Sequence, residues 1–257
     1  MDTEPIDKWV RGSVGDTSVV DTRTPLLFWE RDFPVPSYAL DTADVRVDLL
    51  VPTSTPPPTA FDFFEAHGPV SETFDLVVGD RTVPRAAWRR DDPALGDRII
   101  LTWRPGAIDW REEDEPVAGH PRDPHSRVEA LASSRHVVVA AEGTTLADSR
   151  SPVLLFETRL PTRFYLPEAD LAPDVLTPSD TRSHCPYKGV ADRYWSVRNR
   201  PDLRDIAWSY ARPYPAVGAI AGRVAFYNEL LDITVDGVLL DRPNSPFSSR
   251  EQRPGTD

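Results

Sequence analysis

The strongest constraint on this chain is that it repeats itself. Asp21-Thr22-Arg23-Thr24-Pro25-Leu26-Leu27-Phe28-Trp29-Glu30 returns without a gap as Asp148-Ser149-Arg150-Ser151-Pro152-Val153-Leu154-Leu155-Phe156-Glu157, and Tyr38 and Tyr165 stand at the same spacing. Leu50-Val51-Pro52 is answered by Leu176-Thr177-Pro178, Ala87-Trp88 by Ala207-Trp208, and Arg98-Ile99-Ile100 by Arg223-Val224-Ala225. Because the matches keep one order, the chain reads as two copies of one structural unit. With 257 residues, each copy is long enough to bury a core of its own.

The join falls in the charged, Pro-containing stretch from Arg111 to Pro124, which offers few side chains worth burying. The expected organisation is a first domain over residues 8–117, a linker over 118–126, a second domain over 127–240 and a loosely held tail over 241–257. Each copy reads as mainly β with few short helices. Arg135 to Ala140 has the β-branched density of a strand, Glu142-Gly143 turns it, and Thr144 to Ala147 returns as its partner. Val153 to Phe156 is apolar without alternation, so its period does not separate strand from buried helical turn. Tyr194 to Val197, Ala221 to Tyr227 and Leu231 to Val235 supply three more strands, the last closed by the hairpin dipeptide Asp236-Gly237. The 27 prolines would interrupt most long helices.

A formal net charge of −12 repels phosphate backbones and anionic membrane surfaces, which argues against a nucleic-acid partner. The apolar runs are too short to span a bilayer, so no membrane association is expected. The acidic, polar first residues do not read as a secretory signal, and one cysteine allows no internal disulfide. Both features fit a cytoplasmic protein. Oligomeric state is not encoded in these patterns.

The densest chemical segment is Ser179-Asp180-Thr181-Arg182-Ser183-His184-Cys185-Pro186-Tyr187-Lys188-Gly189. A thiol between cationic groups gains thiolate character, so Cys185, His184 and Lys188 are the candidate catalytic residues. Against this stands the readiness of cysteine to pack as a small buried hydrophobe, and neighbours on a strand point to opposite faces. Arg150, Arg182, Tyr165, Tyr187 and Trp208 are candidate ligand-binding residues, offering planar cations and amphipathic rings. Asp148 and Glu157 are weaker candidates to approach the same loop. The reappearance of Tyr165 as Tyr38 and of Trp208 as Trp88 favours core packing for both rings. The corresponding first-half stretch, Pro56 to Glu65, contains no cysteine, lysine or arginine, so any site there has lost its polar equipment. No set of ligands at metal-binding spacing and no Gly-rich phosphate loop is present, and no cofactor is expected.

Asp148-Ser149-Arg150, Phe164-Tyr165-Leu166-Pro167, Ser179-Asp180-Thr181, Cys185-Pro186-Tyr187-Lys188-Gly189, Ala207-Trp208-Ser209-Tyr210 and Val224-Ala225-Phe226-Tyr227 resemble, in that order, the DUF427 family. The resemblance covers residues 127–240 closely and the first half as a diverged copy. It implies a compact domain similar to the β-tent, or Mss4-like, architecture. The cysteine pairs with which relatives of that architecture hold zinc are missing here. A nucleotidyltransferase-like name is attached to the family in places, and no paired metal-binding carboxylates support that chemistry in this chain.

Two readings follow. In the first, the second copy is a small-molecule enzyme in which the Cys185 thiolate attacks an electrophile, His184 moves a proton and Arg182 or Lys188 stabilises negative charge. In the second, it is a non-catalytic module for a small anionic metabolite or a protein segment, held by Arg150, Arg182 and Lys188 and packed on Tyr165, Tyr187 and Trp208.

Overall fold

The computed structural model describes residues 1–31, 33–59, 62–249 and 253, and the chain divides into two compact units, Met1–Asp123 and Pro124–Asp257. Each unit pairs a seven-stranded antiparallel sheet with a four-stranded one. In the first unit the large sheet runs in the order β1 (Asp2–Pro5), β4 (Leu26–Trp29), β5 (Pro36–Leu40), β9 (Ile99–Leu101), β8 (Arg81–Arg89), β7 (Glu72–Val78), β6 (Leu50–Pro52). Its small sheet runs β11 (Glu115–Val117), β10 (Asp109–Glu112), β2 (Val10–Val14), β3 (Thr17–Thr22).

The second unit repeats this topology strand for strand. Its large sheet is β12 (Val128–Ala132), β15 (Val153–Glu157), β16 (Arg163–Pro167), β22 (Arg223–Phe226), β21 (Ala207–Ser209), β20 (Arg193–Val197), β17 (Leu176–Ser179). Its small sheet is β24 (Val238–Leu239), β23 (Asp232–Val235), β13 (Val137–Ala141), β14 (Thr144–Ser149). One element is added: a hairpin of β18 (Ser183–Cys185) and β19 (Gly189–Ala191) that has no counterpart among the described residues of the first unit. Helical structure among the described residues is confined to short 3₁₀ turns.

The sequence dictates this arrangement through side-chain alternation. In β2 and β13 every second residue is buried, so each small sheet turns one face inward. The large sheets are covered on both faces, which is why Val153–Glu157 lacks alternation. On the inner face of the second unit, Val137, Val139, Leu154, Phe164, Phe226 and Ile233 form the core between the sheets. On the outer face, Val153, Leu155, Tyr165, Trp208, Tyr210 and Tyr227 form a second cluster. Asp236-Gly237 and Glu142-Gly143 both have positive φ at their two residues, the backbone that a tight twisted hairpin requires.

Strand register corrects one match between the copies. Leu26 pairs with Ala39, and its counterpart Val153 pairs with Tyr165. Tyr165 therefore occupies the place of Ala39, and Phe164 that of Tyr38. The connection before β16 is one residue shorter than that before β5, and a one-residue slip turns every following side chain to the other face. Tyr38 sits in the inner core and Tyr165 on the outer face, so they are not repeats of one position.

Two other expectations also change. The charged join buries more than its composition suggests: within the first domain Arg111, Glu112, Glu115, Pro116 and Val117 belong to β10 and β11, with Trp110 and Val117 in the core. Glu112 is buried there and accepts hydrogen bonds from Tyr38 Oη at 2.7 Å and Lys8 Nζ at 3.1 Å. The tail is held in part as well. Phe247 packs on the outer cluster and Ser245 hydrogen-bonds Glu229, because an aromatic ring and a short hydroxyl find partners there. Residues 250–252 and 254–257 of that expected tail lie outside the described residues.

Candidate functional site

Cys185 closes β18 opposite Gly189, and Pro186-Tyr187-Lys188 forms the turn. Lys188 N donates to Cys185 O at 3.3 Å, and Tyr214 N donates to Lys188 O at 3.1 Å. Gly189 has φ +98, a backbone conformation that other residues rarely adopt, so the turn needs glycine here. The hairpin lowers the Lys188 side chain into the outer face, where Nζ donates to Glu157 Oε2 at the end of β15. Both partners are about nine-tenths buried, with side-chain exposures of 10% and 9%. Cys185 is half-buried above them.

Ser183 lies two residues before Cys185 and so shares its face of the strand. Its hydroxyl is 2.6 Å from Tyr194 Oη. Tyr165 Oη accepts from Trp208 Nε1 at 3.2 Å. These groups form one electrostatic cluster. Burial alone would lower the pKa of Lys188, but the charges of Cys185, Glu157 and Tyr165 and the bond to Glu157 outweigh it, and the ammonium is held above the ordinary lysine value. Burial pushes Tyr165 up, only partly offset by Lys188. Burial, with the neighbouring Tyr165 and Cys185, also pushes up Tyr210. The face thus holds a buried ammonium–carboxylate pair among neutral phenols.

These shifts set an alkaline limit. Burial pushes Tyr194 up to about 12 from 10.0, against the partly opposing hydrogen bond to Ser183. A folded-state value above the unfolded one gives stability that is complete below pH 10 and lost as pH rises towards 12. Absorbance at 295 nm should show the Tyr194 phenolate only in that upper range. Tyr194→Phe should remove that step.

Next to this cluster lies a second buried ion pair. Arg163 Nη1 and Nη2 each donate to Glu229 at 2.7 Å, and Nη1 also reaches Asn228 Oδ1 at 3.2 Å. The guanidinium lies 5.6 Å from the Trp208 and Tyr227 ring centres and 5.7 Å from that of Phe247. Trp208 and Tyr227 are themselves 4.5 Å apart, so an aromatic strip connects the two ion pairs.

Several residues expected at the site lie elsewhere. His184 is exposed and pairs with Val190 on the opposite side of β18 from Cys185, so the structure does not bring its imidazole to the sulfur. Arg150 and Arg182 are exposed, and Tyr187 is half-buried in the turn. Asp148 accepts from His136 Nε2 at 2.7 Å, as Asp21 accepts from Trp9 Nε1 at 2.7 Å in the first unit. A pairing that works with either indole or imidazole is structural. Tyr165 and Trp208 are buried within the cluster beside Lys188. Sequence reasoning missed Tyr194, Arg163 and Glu229. Their signal lies in comparing the copies at corrected register, where Tyr194 replaces Thr73 and Arg163 replaces Ser37.

The first unit also keeps more buried polar groups than its sequence suggested. Glu65 is buried and accepts from Arg85 Nη2 at 3.0 Å and Arg104 Nη2 at 2.7 Å. Arg85 has φ +51 and stands where Asp205, also φ +51, stands in the second unit. The stretch around Glu65 recruits its cations from β8 and from the loop after β9; Ala60 and Phe61 of that stretch lie outside the described residues. Among the described residues, no three His, Cys, Asp or Glu side chains are grouped so as to hold a metal ion, and no helix is long and apolar enough to cross a membrane.

Fold and site together define a duplicated, mainly β protein whose second copy carries a thiol–ammonium–phenol cluster on one sheet face. The chain belongs to the family described as a domain of unknown function, DUF427, whose model matches twice in tandem, over residues 2–99 and 129–237. No match to a curated protein was found.

Proposed function

We propose that the second copy is a small-molecule enzyme that uses Cys185 as nucleophile towards an electrophilic substrate, in the cytoplasm, where an unpaired thiol persists. The observation that carries this reading is the buried Lys188–Glu157 pair within electrostatic reach of the half-buried Cys185, in a hairpin added to the second unit. In the reaction the thiol proton leaves to water, and the thiolate, stabilised by the Lys188 ammonium, bonds to the acyl carbon of an activated ester or thioester while the bond to the alcohol or thiol leaving group breaks. Water then hydrolyses the acyl-enzyme to the free acid and the Cys185 thiol. Lys188 stays protonated and is not itself a nucleophile, because its raised pKa denies it a free amine near neutrality. The non-catalytic reading ranks second, since Tyr165 and Trp208, which would have to pack against a ligand, are already buried.

The test is capture of covalent intermediates from a panel of activated esters and thioesters, read by intact mass. An adduct on the native chain that Cys185→Ser abolishes, followed by product release, is the expected result. Adducts absent from the native chain, or retained by Cys185→Ser, would remove the nucleophile.

A further inference from the structure

A separate cavity opens at the inner core of the second unit. It is a half-open cleft of about 340 Å³, within the roughly 300–1,000 Å³ typical of small-molecule sites. Its walls are Leu154, Phe156, Phe164, Leu231, Ile233 and Leu240. Arg135 and Asp241 lie at its rim, and Asn228 is fixed in its lining by donating Nδ2 to Thr162 O at 2.8 Å.

The first copy fills the same place. Register puts Trp110 where Ile233 stands, and the β8–β9 and β21–β22 pairings put Trp103 where Asn228 stands. Trp29 corresponds to Phe156. Trp103 and Trp110 stack with ring centres 4.5 Å apart, and Gly12 makes room for them, since a Cβ there would meet Ile108 and Val20 at 2.9 Å and Trp110 at 3.3 Å. The second copy has Val139 at the Gly12 position and no indole to accommodate. The cavity therefore results from specific exchanges of large for small side chains between two otherwise matching cores.

Its rim carries both signs of charge. Arg135 uses Nε on Asp236 at 2.8 Å, which leaves the outer nitrogens of its fork for a carboxylate. Asp241 is exposed and makes no hydrogen bond or ion pair among the described residues.

We propose that this cavity binds a small zwitterion with an apolar side chain, of the chemistry of an apolar amino acid. The side chain fills the Leu/Phe/Ile walls, the carboxylate faces Arg135 and the ammonium faces Asp241. The segment from Leu240 to Pro243 forms one wall, and Ser245 and Phe247 anchor it through Glu229 and Tyr227. This site does not depend on Cys185.

The experiment titrates the full chain with phenylalanine, 3-phenylpropanoate and 2-phenylethylamine, following binding by calorimetry up to about 10 mM. Phenylalanine should bind about tenfold more tightly than either singly charged analogue. Asp241→Asn should erase its advantage over 3-phenylpropanoate, and Arg135→Met its advantage over 2-phenylethylamine. Ile233→Trp, which restores the first copy's residue, should abolish binding of all three. The two rim variants carry the test should that chain not fold. Cys185→Ser should change nothing. No saturable binding to the native chain, equal affinity for the three compounds, or a preference untouched by the rim variants would overturn the proposal.

Discussion

Glu229→Ala should destabilise the second unit by about 3–5 kcal/mol, the scale expected when one partner of a buried ion pair is removed. Arg163 and Glu229 have side-chain exposures of 5% and 0% and are joined by two 2.7 Å hydrogen bonds. The variant leaves a guanidinium inside an aromatic enclosure, where, among the described residues, Asn228 and the rings remain to face it. Two compact units need not unfold together, so the loss should be read from native-state hydrogen exchange of peptides from β16 and β22. Arg163→Met with Glu229→Leu should recover most of it, because the charge and its partner leave together. The pair also sets an acid limit. Burial would raise the pKa of Glu229, but Arg163 and Ser245 outweigh it and hold the carboxyl below its ordinary value. Stability from this group is therefore present above the unfolded carboxyl pKa and lost as pH falls through the lower folded value. Glu229→Ala should flatten that part of the acid profile.

Lys188→Met should act on both stability and chemistry. It strands the Glu157 carboxylate, 9% exposed, and should cost about 3–5 kcal/mol unless the hairpin opens to hydrate it. Glu157→Gln with Lys188→Met separates the two effects, since it removes the stranded charge while still lacking the ammonium. If Lys188 stabilises charge on sulfur, Cys185 should alkylate at least about tenfold more slowly in the double variant than in the native chain. Rates equal to native, in a variant whose folding is restored, would assign Lys188 a structural role alone.

The first copy shows how such a position is kept while its chemistry changes. Glu30 corresponds to Glu157 and also has a buried cation, Arg90, at 2.6 Å. Arg90 arrives from the end of β8, at the place of Tyr210, whereas Lys188 arrives from the added hairpin. The approach of Glu157 to the Cys185–Gly189 loop was legible in the sequence, whereas the pairing of Glu30 with Arg90 was not, because Arg90 comes from a different strand.

The duplication and the strands were legible for a related reason. Val137, Val139 and Ala141 alternate with outward residues, and Glu142-Gly143 marks the turn that follows, so both signals are local. The register of β16 was not legible. A single residue lost in a connecting turn leaves the apolar pattern intact while exchanging Tyr165 for Phe164 at the inner core. The partnership of Arg163 with Glu229, and the cavity left where Trp103 and Trp110 stand in the first copy, depend on contacts between distant strands. The Cys185 to Gly189 turn was legible locally, because its proline and glycine mark the constrained backbone that lowers Lys188 towards Glu157. His184, its immediate neighbour, faces away because a strand alternates.

The most direct measurement is alkylation of Cys185 by iodoacetamide at pH 7, followed by intact mass on the folded chain and on the chain unfolded in urea, with Cys185→Ser as control. A reachable thiol beside a fixed ammonium predicts a single adduct on the folded chain, formed no more slowly than on the unfolded one. Protection of Cys185 until the second unit unfolds would contradict it, and would make the hairpin a packing element.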